Sequence, residues 1–344
     1  MYKLELCVDW TNHDFDPLKY TITDDLNLTN IKLPYKTVIF GGSNIYNKYD
    51  SDKYNIFKDY CKIYMIPEEP NMFITHAANS IFSSPQCIET HCDVILTYCF
   101  FMNDWRKWQL NNLKIANRIP MFLPMNINNL AIAMNVNHDN IKLITDDFYL
   151  ISKDNNIIYV GCFPYPTPPF FEDIRSTIKK YNGIIVAANP NIGYLDKLNL
   201  LCRSKITICH NLLFLDWCYP TCVDSIKTFS HIDKTAMFNH LDDLIIPQMK
   251  GRVFEAAFCK SLILCKRDPW NVIENWFNPN TDFIYFDNID DLHLKIDNIL
   301  NNYDYYIDHH IKNAYNRAIN NYTTYHFMKN YIYNFSYNKY MATS

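Results

Sequence analysis

Lys250, Gly251, Arg252 and Glu255 stand together in the segment PQMKGRVFEAAFCKSLILCKRDPWNVIENWFNPNTDFIYFD, which runs from Pro247 to Asp287. The residues from Arg252 onward follow a helical pattern, so the cluster falls on a helix start. There the first backbone N–H groups have no partner within the helix and the dipole is positive. With two cationic side chains added, the ligand this point attracts is a phosphate. Glu255 follows Arg252 by three residues and shares its helix face. Its carboxylate would reach past a bound diphosphate towards ribose hydroxyls while Arg252 forks onto phosphate oxygens, a combination that asks for a nucleotide. The same spacing also fits an ordinary exposed Arg–Glu pair.

Further candidates sit beside predicted strands. Lys205 precedes ITICHN and would bring a second cation from the neighbouring βα unit, or else balance a helix dipole as a terminal lysine. His210 and Asn211 end that strand and are expected at the mouth of a cleft, as donor contacts rather than core residues. Glu68 and Glu69 in IPEEPN follow the apolar run KIYMI, and His76 lies in MFITHAANS. These three are the acceptor-side candidates for proton transfer, with a turn cap and an interior histidine as the plain alternatives. Cys218 and Cys222, with His210 and His231 in the same stretch, form C-x3-C without a second clean pair, so no metal site is expected.

These residues need a scaffold. Lys36 to Phe40, Lys62 to Ile66, Asp93 to Tyr98 and Pro120 to Leu123 are short apolar runs separated by helix-length segments, the pattern of a parallel sheet. A second series begins at Asn156: IIYVGCF, the amphipathic FFEDIRSTIKKYNG, IIVAANP, LDKLNLLCRSK, ITICHN, the helix at Arg252, LILC, a helix at NVIENWF, DFIYFD and DDLHLKIDNIL. Strand and helix in alternation predict doubly wound α/β domains, and two in tandem predict a cleft between them. The predicted domains are residues 1–154 and 155–325, with residues 326–344 as a terminal helix returning to the first.

RVFEAAFCKSLIL, the DPWNVIE turn and DFIYFDNIDDLHLKI resemble the C-terminal half of GT-B glycosyltransferases. The resemblance is greatest to the spore-maturation-protein type with its R-x-FEA helix, and it covers roughly residues 155 to 325. It implies two Rossmann-like domains facing across a cleft, with a nucleotide-diphospho-sugar as donor substrate and no cofactor. It further implies that Glu255 holds the donor's ribose while Arg252 and its basic neighbours hold the diphosphate. Two positions depart from that pattern. The earlier glutamate of many retaining members is Pro247 here, and the glycine usual after the helix is replaced by Lys260 and Ser261. EEPN followed by CDVILTYCFF also bears a faint similarity to fucosyltransferases, Glu68 matching their acid, although their donor-helix E-K pair is Glu255-Ala256 here. The activity implied is metal-independent transfer of a sugar to a glycan or other hydroxyl acceptor. A nucleotide-sugar epimerase of the same architecture and a non-catalytic sugar- or nucleotide-binding protein are the alternatives.

Composition bounds these readings. With 344 residues and 49% hydrophobic content the chain can build two cores, and a net charge of −4 with mixed signs argues against a nucleic-acid footprint. No apolar run has the ~18 to 20 residues of a membrane span. Twelve scattered cysteines read as free thiols, and a cytoplasmic setting is expected. The excess of Asn, Ile, Lys and Tyr over only six glycines fits an AT-rich genome, such as that of a large virus, a parasite or a low-GC bacterium. Scarce glycines mark demanding backbone: Gly161 ends one apolar run and Gly251 opens the helix that carries Arg252.

Overall fold

The structure, a computed structural model, describes residues 4–8, 32–41, 57–65, 93–97, 119–122, 152–161, 163, 167–187, 192, 194–214, 239–322, 326 and 328–343. The chain divides into two compact units. One gathers Met1–Ile132, Tyr219–Gln248 and Thr323–Ser344, and the other gathers Ala133–Cys218 and Met249–Tyr322. The strands are β1 (Leu4–Val8), β2 (Thr37–Gly41), β3 (Cys61–Met65), β4 (Val94–Thr97), β5 (Ile119–Phe122), β6 (Asn155–Val160), β7 (Ile184–Val186), β8 (Ser204–Cys209), β9 (Leu212–Phe214), β10 (Ile245–Pro247), β11 (Leu262–Lys266) and β12 (Phe283–Phe286). The principal helices are α1 (Pro169–Lys180), α2 (Tyr194–Cys202), α3 (Gly251–Phe258), α4 (Ile289–Asn301), α5 (Lys312–Asn321) and α6 (Tyr333–Thr343). The fold is α/β with parallel sheets.

In the first unit, β1 to β5 pair in parallel and in sequence order. Val38, Ile39, Ile63 and Val94 are buried. Helix α6 is tied to this sheet: the buried Ser336 hydroxyl accepts the N–H of Tyr35 at 2.9 Å and donates to its carbonyl at 3.0 Å. Lys339 pairs with Asp93 at 3.0 Å.

In the second unit all strands of the five-stranded sheet are again parallel, in the order β12-β11-β8-β6-β7. Counted along the chain this is the doubly wound order 2-1-3-4-5, in which the winding reverses between β6 and β8. Side-chain alternation on β6 divides the core between two faces. Ile157 and Tyr159 pack with Phe171, Ile174 and Ile178 of α1 and Leu292, Ile296 and Ile299 of α4. Ile158 and Val160 pack with Leu198, Leu201 and Cys202 of α2 and with Cys259.

Helix α3 stops without glycine. Lys260 itself adopts the left-handed conformation, φ 55°, so that its N–H reaches the carbonyl of Ala257 and the N–H of Ser261 reaches that of Ala256. Beyond β11, NVIENWF was expected as a helix but forms only a 3-10 turn, Val272–Asn275. The cause lies upstream: the Asp268 carboxylate takes the N–H groups of Trp270 and Val272, Asn271 turns left-handed, and Trp276 and Phe277 are drawn into the core.

Candidate anion and ribose site

In a doubly wound sheet, ligands collect outside the carboxyl ends of the strands at the reversal, here at the ends of β6 and β8. Helix α3 begins at that place. Asn211, just past β8, accepts the backbone N–H of Lys250 through Oδ1 at 3.1 Å, fixing the entry to the helix. No side chain caps α3 and its first turn holds no acid, whereas α4 is capped by Asn288 and carries Asp290 and Asp291. The positive end of α3 is therefore not offset by a carboxylate of its own first turn.

Arg252 lies at the base of this start. Its guanidinium packs over the Tyr159 ring, 5.1 Å from Cζ to the centroid, and against Gly161. Gly161 has φ 149°, and a β-carbon there would stand 2.5 Å from both terminal guanidinium nitrogens. Glycine thus suits the backbone here, and any β-carbon would have to push the guanidinium from its place. The Nη1 of Arg252 is buried and makes no hydrogen bond. An orphaned cationic donor in the interior costs free energy unless a ligand completes it.

His210 lies beneath Tyr159. The N–H of Leu212 points at its Nδ1, 3.4 Å away, which makes that nitrogen the acceptor and leaves the proton of a neutral ring on Nε2. Nε2–H then donates to the Tyr159 hydroxyl oxygen at 3.1 Å. Burial, followed by the charges of Arg252 and Lys250, holds the imidazole well below the usual histidine range, so the ring is neutral. Burial alone would lower the pKa of the Arg252 guanidinium, but Tyr159, Cys209 and Glu255 around it outweigh that effect and raise it, so the group stays charged.

Glu255 is 2% exposed, and its carboxylate pairs with Lys197 of α2 at 2.8 Å. Spacing along one helix could not reveal this partner, because it comes from another element. Lys197, Tyr159 and Gly161 are the members of the cluster that the helix pattern around Arg252 did not name, and only Gly161 left a trace, as a rare glycine at the end of an apolar run.

The sequence-predicted residues separate into three groups. Lys250, Gly251, Arg252 and Glu255 come together on α3. His210 and Asn211 lie beside them but are buried, which corrects their expected exposure: His210 sits among Tyr159, Phe170, Phe171 and Phe214, and the amide of Asn211 spans from Lys250 N–H to the Cys265 sulfur. Lys205 does not join the cluster. It is the second residue of β8, so the strand's rise of about 3.3 Å per residue puts it at the opposite edge of the sheet, where its ammonium lies over the Tyr303 ring at 5.5 Å. Glu68, Glu69 and His76 fall outside the described residues, as do His231, Cys218 and Cys222.

Residues 172–332 match a family model described as glycosyl transferase-like. The matched segment begins inside α1 and contains β8, α3 and β11. No sequence among the curated proteins matches the chain. Solved structures with similar folds include sucrose-phosphate synthase from Thermosynechococcus elongatus, at 9% identity and TM-score 0.43 over 90% of this chain and 74% of that one. A second is TarM of S. aureus, as a mutant in complex with fondaparinux, alpha-GlcNAc-glycerol and UDP, at 11% identity and TM-score 0.44 over 87% and 55%. A third is a glycosyltransferase from Rickettsia africae, at 11% identity and TM-score 0.46 over 99% and 98%. Likeness this distant says nothing of substrate. Among the described residues no helix is long and apolar enough to cross a membrane.

Proposed function

We propose that the protein transfers a sugar from a nucleotide-diphospho-sugar to a glycan or other hydroxyl acceptor without a metal ion. The observation that carries this reading is the buried, unpartnered Nη1 of Arg252 at the uncapped start of α3. The diphosphate lies on the α3 N–H groups and Arg252, with Lys250 beside them. Glu255, held by Lys197, accepts the ribose hydroxyls. As the bond between the anomeric carbon and the diphosphate oxygen breaks, negative charge grows on the leaving group, and preorganised cations and N–H dipoles there lower the barrier. The acceptor oxygen forms the new bond to that carbon and gives its proton to a base supplied by the first domain, for which Glu68, Glu69 and His76 are the candidates. Residues 155–325 then serve the donor and residues 1–154 the acceptor, in a cytoplasmic enzyme.

A thermal-shift panel of nucleotide sugars tests donor binding, since a ligand of the folded state at about 100 times its dissociation constant adds roughly 2.7 kcal/mol. Release of free nucleoside diphosphate that depends on acceptor and persists in excess EDTA supports transfer. Loss of turnover in chelator, restored by magnesium, would overturn the metal-free reading, and an altered free nucleotide sugar would replace transfer by epimerisation.

A further inference from the structure

The opposite edge of the same sheet carries a polar groove that donor binding does not use. Helix α5 buries Ala314 and Ala318 and sets Asn313, Asn316 and Asn320 along its exposed side at i, i+3 and i+7. Together with Thr281, Asp282 and Arg317 they line a groove of about 460 Å³, within the range of small-ligand sites. Its floor is an ion pair. Asp282, 2% exposed just before β12, accepts the N–H of Asn278 at 2.8 Å and the Nε–H of Arg317.

The chemistry of this lining selects a ligand class. Arg317 and Asp282 cancel each other's charge, so the groove does not call for an ion. No apolar side chain lines it, so it does not call for a hydrophobe. A guanidinium held through Nε still has its terminal amino groups as a fork, and the carboxamides of Asn316 and Asn320 each offer a donor and an acceptor side by side. Neighbouring hydroxyls on a sugar ring are the complement of both. Asn313 takes a different part: its Nδ2 spends both protons on the carbonyls of His309 at 2.9 Å and Thr281 at 3.2 Å, which fixes the amide and leaves its Oδ1 to accept from a hydroxyl. From Asn313 to Asn320 the helix rises about 10 Å, the length of roughly two sugar rings. The geometry points to a binding site for a neutral oligosaccharide, separate from the anion site at the other edge of the sheet.

The test is titration of the full chain with maltotetraose, cellotetraose, chitotetraose and mannotetraose, followed by saturation-transfer NMR. At least one should bind saturably, and the double variant Asn316→Tyr, Asn320→Tyr, which fills the groove from exposed positions, should weaken it by about tenfold or more. The same binding should survive Arg252→Ala, so it stands or falls independently of the donor site. Failure of all four glycans to bind, retention of binding in the double tyrosine variant, or its loss in the Arg252 variant would each overturn the proposal. Replacement of Arg317 alone would leave Asp282 buried without its cation and is a poorer test.

Discussion

A β-carbon at Gly161 would lie 2.5 Å from the Nη1 of Arg252, closer than any side chain tolerates. Gly161→Ala therefore has two effects, backbone strain at φ 149° and expulsion of the guanidinium. Arg252→Ala should raise the transfer barrier by about 2 to 4 kcal/mol, and Arg252→Lys should recover only part of that. Gly161→Ala should lose a comparable share of activity. In the Arg252→Ala background it should cost far less activity, because the group it displaces is gone. Additive losses in a kinetic double-mutant cycle would refute the coupling.

Glu255→Gln keeps shape but loses the charge that strengthens hydrogen bonds to ribose. Donor KM should rise about tenfold, equivalent to ~1 to 2 kcal/mol, with kcat falling less. Lys197→Met removes a cation from the carboxylate of a residue that is 2% exposed and should lower stability by about 3 kcal/mol, measured by urea denaturation. Adding Glu255→Gln to Lys197→Met should restore most of it. A kcat collapse in Glu255→Gln at unchanged donor affinity would make Glu255 a catalytic group instead.

His210 is neutral in the fold because burial and two nearby cations lower its pKa from the ordinary 6.5. Below about pH 6.5 the unfolded chain takes up this proton first, so stability present above that pH is lost as pH falls. Asp268, raised to about 6 chiefly by burial, works in the opposite sense, and the lowered His293 and His310 share the direction of His210. The contribution of His210 is the difference between wild type and His210→Gln, which keeps polar groups near Tyr159. Melting temperatures between about pH 5 and 8 should converge towards acid as the wild type loses its advantage. Parallel curves would show that His210 does not carry that slope.

Lys205 was a candidate phosphate ligand, yet it lies near the start of the strand whose other end meets α3. Lys205→Ala should leave donor KM within about twofold of wild type, since a charge more than a Debye length away through solvent is largely screened. A large rise in KM would place it at the donor after all.

How legible was this in the chain? Four strands of the first unit and the five of the second unit's parallel sheet stood out as apolar runs bounded by polar segments, and α3 stood out through its amphipathic spacing. β1, β9 and β10 were not legible: LELCV alternates apolar residues with a single acid, and the other two are only three residues each, too short for a period to show. Strand order was not legible, since nothing local tells β8 to pair with β6 and leave β7 at the edge. The α3 residues were readable because their chemistry lies within one helical turn. Lys197 was not, because its meaning arises only when α2 packs on α3, and the end-of-strand position of His210 gave no sign of the aromatic cluster that buries it.

The left-handed Lys260 shows how a chain can become committed to its own solution. Glycine there would relieve about 1 kcal/mol of backbone strain. The lysine side chain, however, is 1% exposed, its ammonium lies 4.7 Å from the Tyr315 ring centre, and its carbonyl accepts the Lys153 ammonium at 2.7 Å. A buried cation–π contact is itself worth about 2 kcal/mol, so substitution to glycine relieves less than it forfeits. A glycine turn would be gained here only by also rebuilding what surrounds Tyr315, so the lysine is held by its side chain's surroundings more than by the demands of the turn.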